Sequence, residues 1–199
     1  MPIEPHDLDP DPITQLRTWL ADAVAAGIAL PEAFALATAD GDGMPSVRFV
    51  LLRGLEADGL RYYTNRGSRK GRDVAANPWA SAAFWWPALE RQARVAGPVR
   101  QLPDDASTGY WTSRPRGSQL SAAASEQGRE IGSRAELEAR VADLSAHHPG
   151  PVPLPAFWGG YLLLPHAIEF WEGRPDRLHD RVEYRRGAEG SWNRRRLQP

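Results

Sequence analysis

Ile13, Leu16, Leu20 and Val24 recur at helical spacing behind Asp11-Pro12, an N-cap followed by a proline at the first helical position, and Gly27 follows as a stop. A helix is predicted over 12–26. Residues 33–40 (AFALATAD) and 46–53 (SVRFVLLR) read as two strands joined by the Gly-Asp-Gly turn at 41–43. A second turn at 54–59 leads to a strand over 60–64, and a short helix near 69–76 ends at Asn77-Pro78. Residues 79–86 (WASAAFWW) and 91–102 predict two more strands, with a bulge or bend at Gly97-Pro98. Short helices are expected over 103–112 and 117–126. A clearer amphipathic helix covers 134–144, with Leu137, Val141 and Leu144 on one face. Beyond the proline-rich connector 148–155, four strands follow with tight turns. Strands dominate both ends, helices lie between, and hairpins outnumber crossovers. The fold class is therefore mainly β with peripheral helices, an antiparallel barrel rather than a doubly wound parallel sheet. Residues 1–11 read as a flexible arm, and 12–199 as one domain.

Composition narrows the chemistry. The 199 residues contain no Cys, which excludes disulfides, Cys-ligated zinc, iron–sulfur clusters and a Cys nucleophile. No apolar run is long enough to span a membrane, and the acidic N-terminus lacks a signal pattern, so a cytoplasmic protein is expected. Of the 24 basic residues 23 are Arg; Lys70 is the single Lys, so any Schiff-base chemistry would have to use it. The net charge of −1 conceals a gradient. Residues 1–45 are acidic, whereas 48–72 and 177–196 are basic. Two separate basic segments in a near-neutral chain point to local anion binding rather than to nucleic acid.

Three clusters carry candidate chemistry. Gly67-Ser68-Arg69-Lys70-Gly71-Arg72 opens a helix whose N-terminal amides can face an anion, and Arg48 and Arg53 lie nearby in sequence. Tyr110 and the string Ser113-Arg114-Pro115-Arg116-Gly117-Ser118-Gln119, between two helices, can form a phosphate pocket. Arg177, His179 and Arg181, if extended, share one strand face, where three cationic groups repel unless an anion sits among them. Each cluster also has a plain reading as solvated loop or surface charge. A metal site is not expected, because His147-His148 has no matching ligand set. Trp85, Trp86, Trp158 and Trp171 read mostly as core, though they can also line a flat ligand.

Seven blocks together resemble the pyridoxamine 5′-phosphate oxidases, in that family's order and near its spacing. They are Arg48–Arg53, Tyr63–Lys70, Leu89–Gln92, Ser113–Gln119, Phe157–Gly160, Glu169–Trp171 and Arg177–Arg181. The resemblance runs from about residue 12 to the C-terminus. It implies an FMN-binding split β-barrel, a homodimer with FMN at the subunit interface, and residues 155–199 completing that site. It also implies oxidation of pyridoxamine or pyridoxine 5′-phosphate to pyridoxal 5′-phosphate, with O2 as acceptor and hydrogen peroxide as by-product. Carried over by motif, Arg48, Phe49, Val50, Leu51, Leu52, Tyr63 and Thr64 run along the flavin. Arg69 and Lys70 meet its phosphate. Gln92, Gln127, Gly128, Trp171 and Arg181 complete the flavin site. Arg53, Tyr110, Arg114 and Ser118 hold the substrate phosphate, and Arg177 and His179 form the catalytic pair over the pyridine ring.

Three departures stand out. Arg53 replaces a usual Lys, Gly128 replaces a usual Ser, and the N-terminal arm lacks the family's Arg- and Tyr-bearing closing segment. GSRKGR, NPWAS and Arg195-Arg196-Leu197-Gln198-Pro199 also resemble FMN oxidases of phenazine biosynthesis, which act on larger tricyclic acids. A non-catalytic flavin-binding module and an Arg-rich nucleic-acid binder are further alternatives. Retention of Arg177 and His179 speaks against the first, and the acidic N-terminal third against the second.

Overall fold

The structure is a computed structural model that describes residues 2–199; Met1, the first residue of the expected arm, lies outside the described residues. Helix α1 (Pro12–Ala25) starts where Asp11 accepts hydrogen bonds from the amides of Ile13 and Thr14. Six strands then curl into a barrel: β1 (Ala33–Ala39), β2 (Pro45–Leu51), β4 (Leu60–Asn65), β5 (Trp79–Trp86), β6 (Arg91–Gln101) and β7 (Trp158–Leu163). A two-residue strand, β3 (Gly54–Leu55), pairs with β4. The ladder order is β2-β1-β5-β6-β7-β4, and β2 comes back against β4. A wing of β8 (Ala167–Glu172), β9 (Asp180–Arg186) and β10 (Trp192–Arg196) extends the sheet from β6. All ladders among the described residues are antiparallel.

Strand β6 belongs to both parts. Along β5 its register is unbroken, from Trp86↔Arg91 to Trp79↔Pro98. On its other edge it pairs with β8 as far as Ala96↔Ala167, then with β7 from Val99↔Leu163. The bend expected at Gly97-Pro98 is this change of partner. A Cβ on Gly97 would run into the carbonyl oxygen of Leu164, so only glycine admits the crossing chain.

Alternation along the strands sends Phe34, Leu36, Phe84 and Trp86 inward, where they meet Leu60, Tyr62, Val95 and Leu163. Helix α1 covers this core with Ile13, Leu16 and Trp19. Trp19 packs edge-on against Phe170, 4.9 Å between centroids, under the guanidinium of Arg91. Helix α2 (Arg69–Ala76) lies against β1. Helices α3 (Asp104–Ser113), α4 (Arg116–Ala124) and α5 (Arg134–His147) shelter a smaller core of Trp111, Leu120, Val152 and Trp158. The expected stripe of α5 is only half-buried: Val141 and Leu144 pack on that smaller core.

The N-terminal residues lie along the wing. Asp180 accepts from the amide of Ile3, the Tyr184 hydroxyl donates to Asp9 O, and Arg194 donates to the carbonyls of Pro5 and Leu8. One expectation fails. Arg177, His179 and Arg181 do not share a strand face. Arg177 ends a 3₁₀ turn (Pro175–Arg177), and Asp176 and Arg177 both take left-handed backbone angles, φ 58° and 61°. Extended pairing resumes only at Asp180, so period-two spacing does not apply across the turn.

Candidate active site

Three elements meet at the first cluster. Ser68 caps α2, accepting from the amide of Gly71 and donating to Asn65 O at 2.6 Å. The tight entry leaves no room for a side chain at Gly71, which would strike the backbone of Arg66. Lys70, on the first turn, is 7% exposed. Its Nζ donates to Thr64 Oγ1 (3.0 Å), Ser68 Oγ (3.1 Å) and Gln127 Oε1 (3.3 Å), all neutral oxygens. Burial and the nearby Arg48 lower its pKa to about 8 despite Asp73.

Arg48 is engaged differently from its expected place along the flavin. Its guanidinium donates to Leu36 O, Thr38 Oγ1 and Ser46 Oγ, 3.8 Å from Asp73. Asp73 in turn accepts from Thr38 (2.6 Å) and Ser46 (2.7 Å). Burial alone would raise the Asp73 pKa; these hydrogen bonds with Arg69 and Arg48 outweigh it and hold the carboxyl below its ordinary range. Within 48–52 only Val50 and Leu51 line the cleft, while Phe49 is 77% exposed and Leu52 joins the core.

The second cluster faces the same cleft. Tyr63, Thr64, Arg114, Ser118, Gln127 and Trp158 line a cavity of about 480 Å³. A smaller one of about 210 Å³ adds Val50, Leu51, Arg53 and Tyr110 and shares Tyr63, Thr64, Arg114, Gln127 and Trp158 with it. Its wall is aromatic: Tyr63 stacks on Tyr110 at 4.2 Å and on Trp158 at 5.3 Å. Arg114 lies over Trp111 and Trp158, 5.2 and 5.0 Å from their centroids. Its Nη1 is buried without a hydrogen-bond partner, and burial lowers its pKa. Arg53 sits over Tyr110 and 3.8 Å from Glu32. A buried cation whose partners are neutral, and a guanidinium with a spare donor, fit two anionic groups in one cleft. The residues at hand thus fit a ligand set that includes a flavin phosphate at Lys70.

The third cluster lies elsewhere on this chain. Gln92, Trp171 and Arg181 form one cross-strand row with Trp85 on the outer face of the sheet. His179 rests against Trp171, 4.6 Å between centroids, and Arg181 is fixed by Glu169 at 2.9 Å. His179 lines a separate cavity with Leu178 and Arg196. The same outer face is built of small residues: Ala35, Ala37, Ser81, Ala83, Ala96 and Ala167, with Val47 and Phe49 exposed beside them. Gly128 and Arg69 are exposed, Gly128 with φ 89°. Sequence reasoning missed the platform of Trp111 and Trp158 under Arg114, and the Thr38–Ser46–Asp73 socket. Asp73, four residues beyond Arg69 on α2, was the available signal for the latter.

Known proteins of similar sequence and fold match this chain. Residues 20–148 match the family model described as pyridoxamine 5′-phosphate oxidase, and residues 158–199 match the pyridoxine 5′-phosphate oxidase C-terminal dimerisation region. The chain is 51% identical over 193 residues to the pyridoxine/pyridoxamine 5′-phosphate oxidase of Cupriavidus pinatubonensis, covering 97% of this chain and 91% of that one. The oxidase of the same name from Thermosynechococcus vestitus gives the same figures. Among solved structures, PhzG from Burkholderia lata 383, in complex with tetrahydrophenazine-1-carboxylic acid, superposes with a TM-score of 0.93 at 35% identity over 98% of this chain and 96% of that one. An FMN-binding protein from Nostoc punctiforme shares the fold at TM-score 0.75 and 22% identity, over 92% of this chain and 97% of that one. The chain therefore belongs to the pyridoxamine 5′-phosphate oxidase family.

Proposed function

We propose that this chain is an FMN-dependent oxidase that converts pyridoxamine or pyridoxine 5′-phosphate to pyridoxal 5′-phosphate, with O2 as acceptor. The observation that carries this is a cleft lined by half-sheltered Arg114, with one guanidinium nitrogen unpaired, and backed by buried Lys70, which reaches the cleft-lining Thr64 and Gln127 and meets only neutral oxygens. Two phosphates, one on the cofactor and one on the substrate, use both. FMN held there would supply the hydride acceptor for the substrate carbon, with O2 as the final oxidant and hydrogen peroxide as by-product.

The chain's own side chains bind and orient. Lys70 and Arg69, with the first amides of α2, hold the FMN phosphate, and Thr64 and Gln127 keep the Lys70 Nζ in place. Arg114, Ser118, Tyr110 and Arg53 hold the substrate phosphate. The Trp111–Trp158 platform keeps the Arg114 fork from swinging. Arg177 and His179 face the pyridine ring, with Gln92, Trp171 and Arg181 completing the flavin site.

Gln92, Trp171 and Arg181 share the outer sheet face with the small-residue patch, and Arg177 and His179 lie in the turn between β8 and β9, away from the cleft lined by Arg114 of the same chain. A second copy docked on that face presents them to its partner's cleft. This reading agrees with the match of residues 158–199 to a dimerisation region. It makes each site a composite of two chains.

The test is anaerobic addition of pyridoxamine 5′-phosphate to the flavin-loaded protein. Bleaching of the visible flavin bands, with pyridoxal 5′-phosphate and peroxide formed once air is admitted, is expected. Bleaching only by a reduced tricyclic acid would favour a phenazine-type oxidase, the reading to which the PhzG superposition points. No bleaching by either would leave a flavin binder.

A further inference from the structure

The turn that carries Arg177 and His179 is strained and anchored. Asp176 and Arg177 are consecutive non-glycine residues in left-handed conformation, a state that local backbone energetics disfavour. Both are exposed, so no packing around them supplies the restraint. The restraint lies beneath them. Asp180, 1% exposed, closes the turn from the β9 side. Its Oδ2 accepts from Arg174 Nε (2.6 Å) and the Ile3 amide (3.1 Å), and its Oδ1 from Arg196 Nη2 (2.5 Å). Arg174 spans the turn: its Nη2 meets Glu172 Oε1 at 2.5 Å on β8. Glu172 is held in turn by Arg91 at 2.7 Å, and Arg91 by Asp22 of α1 at 2.8 Å. A line of alternating charges thus runs from α1 through the turn to the N-terminal residues.

A backbone contact joins this line to the imidazole. The Arg174 amide donates to His179 Nδ1 at 3.1 Å. A nitrogen that accepts carries no hydrogen, so the neutral ring bears its proton on Nε2. With its flank against Trp171, His179 then presents an N–H donor away from Arg174.

We propose that Asp180, acting through Arg174, is the positioning residue of this turn: it holds the left-handed Asp176-Arg177 pair in place and fixes His179 as the Nε2–H donor. Neither residue touches the cleft. Their effect is on the direction in which Arg177 and His179 point, and alignment of this kind governs rate more than affinity. The inference rests on the oxidase reading for its kinetic consequence, though not for its structural one.

The test has two arms on the flavin-loaded protein. In ¹⁵N-histidine NMR, the His179 signals, assigned by their loss in His179→Asn, are expected to show a pyridine-type Nδ1 and a pyrrole-type Nε2. Asp180→Asn should mix the two forms. In anaerobic stopped flow with pyridoxamine 5′-phosphate, Asp180→Asn should lower the limiting rate of flavin reduction about tenfold or more, with half-saturation and flavin content held within about twofold. A wild-type His179 protonated on Nδ1, a wild-type reduction rate in Asp180→Asn, or parallel loss of rate, affinity and flavin would each overturn the proposal. If Asp180→Asn does not fold, Arg174→Lys serves instead, since it keeps the charge but loses the fork that joins Glu172 to Asp180. The same split of rate from affinity is expected there, and its absence overturns the proposal. If pyridoxamine 5′-phosphate reduces no flavin in the wild-type protein, the oxidase reading fails, and the NMR arm still decides the turn.

Discussion

Lys70 is the residue on which the proposed flavin-phosphate site turns. The Arg bias makes it conspicuous in the sequence, and the Gly-Ser-Arg-Lys string marks it as an anion ligand; its burial among neutral oxygens is visible only once Gln127 is brought 57 residues back to it. With a pKa near 8, it loses its charge as pH rises past that value. FMN affinity, measured by fluorescence quenching, should therefore weaken above about pH 8. Apo-protein stability should run the other way. The folded pKa lies below the unfolded 10.5, so between these values the unfolded chain binds more protons, and this group's penalty is relieved as pH rises from about 8 to 10.5. Lys70→Met should remove both trends and weaken FMN binding by about 10- to 100-fold, the equivalent of a charge-assisted hydrogen bond. Arg114 is a second case. Its string between two helices is legible, whereas its seat on Trp111 and Trp158 is not, because Trp158 arrives from 44 residues away in the sheet register. Arg114→Lys keeps the charge but loses the stacked fork. It should raise the half-saturating substrate concentration about tenfold at unchanged flavin content.

At the scale of elements, caps and periodicity located the strands and helices well. Asp11-Pro12, Ser68 and the Gly-Asp-Gly turn are local signals, and local chemistry sets where an element starts. Period-two spacing puts Arg177, His179 and Arg181 on one face if the run is extended; the long-range ties of Arg174 and Asp180 hold a turn there instead. The seating of α2 on the barrel is likewise a product of register. Thr38 and Ser46 are cross-strand partners and together receive Asp73. Asp73→Ala removes the acceptor shared by the Thr38 and Ser46 hydroxyls and the carboxylate beside Arg48, and should cost about 2 kcal/mol. A lower denaturant midpoint with unchanged slope would register it, along with weaker flavin retention as α2 loosens.

At the scale of the whole molecule, the proposed function makes the outer sheet face and the cleft complementary halves of a site. Alternation along β1 and β5 places small residues, Ala35, Ala37, Ser81 and Ala83, at the middle of this face between Trp79 and Trp85, but which strands lie side by side is fixed by topology that the sequence alone does not reveal. Ala83→Arg, at the centre of that face, should give a monomer in sedimentation velocity with flavin content greatly reduced, although its own cleft is untouched. Strand β6 joins the two halves, and that carries a consequence for how the chain acquires its shape. Its hairpin with β5 forms locally, but its other partners lie some 60 to 80 residues away, and pairing across such distances is slow because loop closure comes before any contact is gained. The crossing at Gly97 admits β7 and β8 side by side, so barrel closure and wing attachment are steps of one late event. Refolding followed by tryptophan fluorescence and by recovery of flavin binding should share a single slow phase, and Gly97→Ala should lengthen it: the ligand site is the last thing this chain completes.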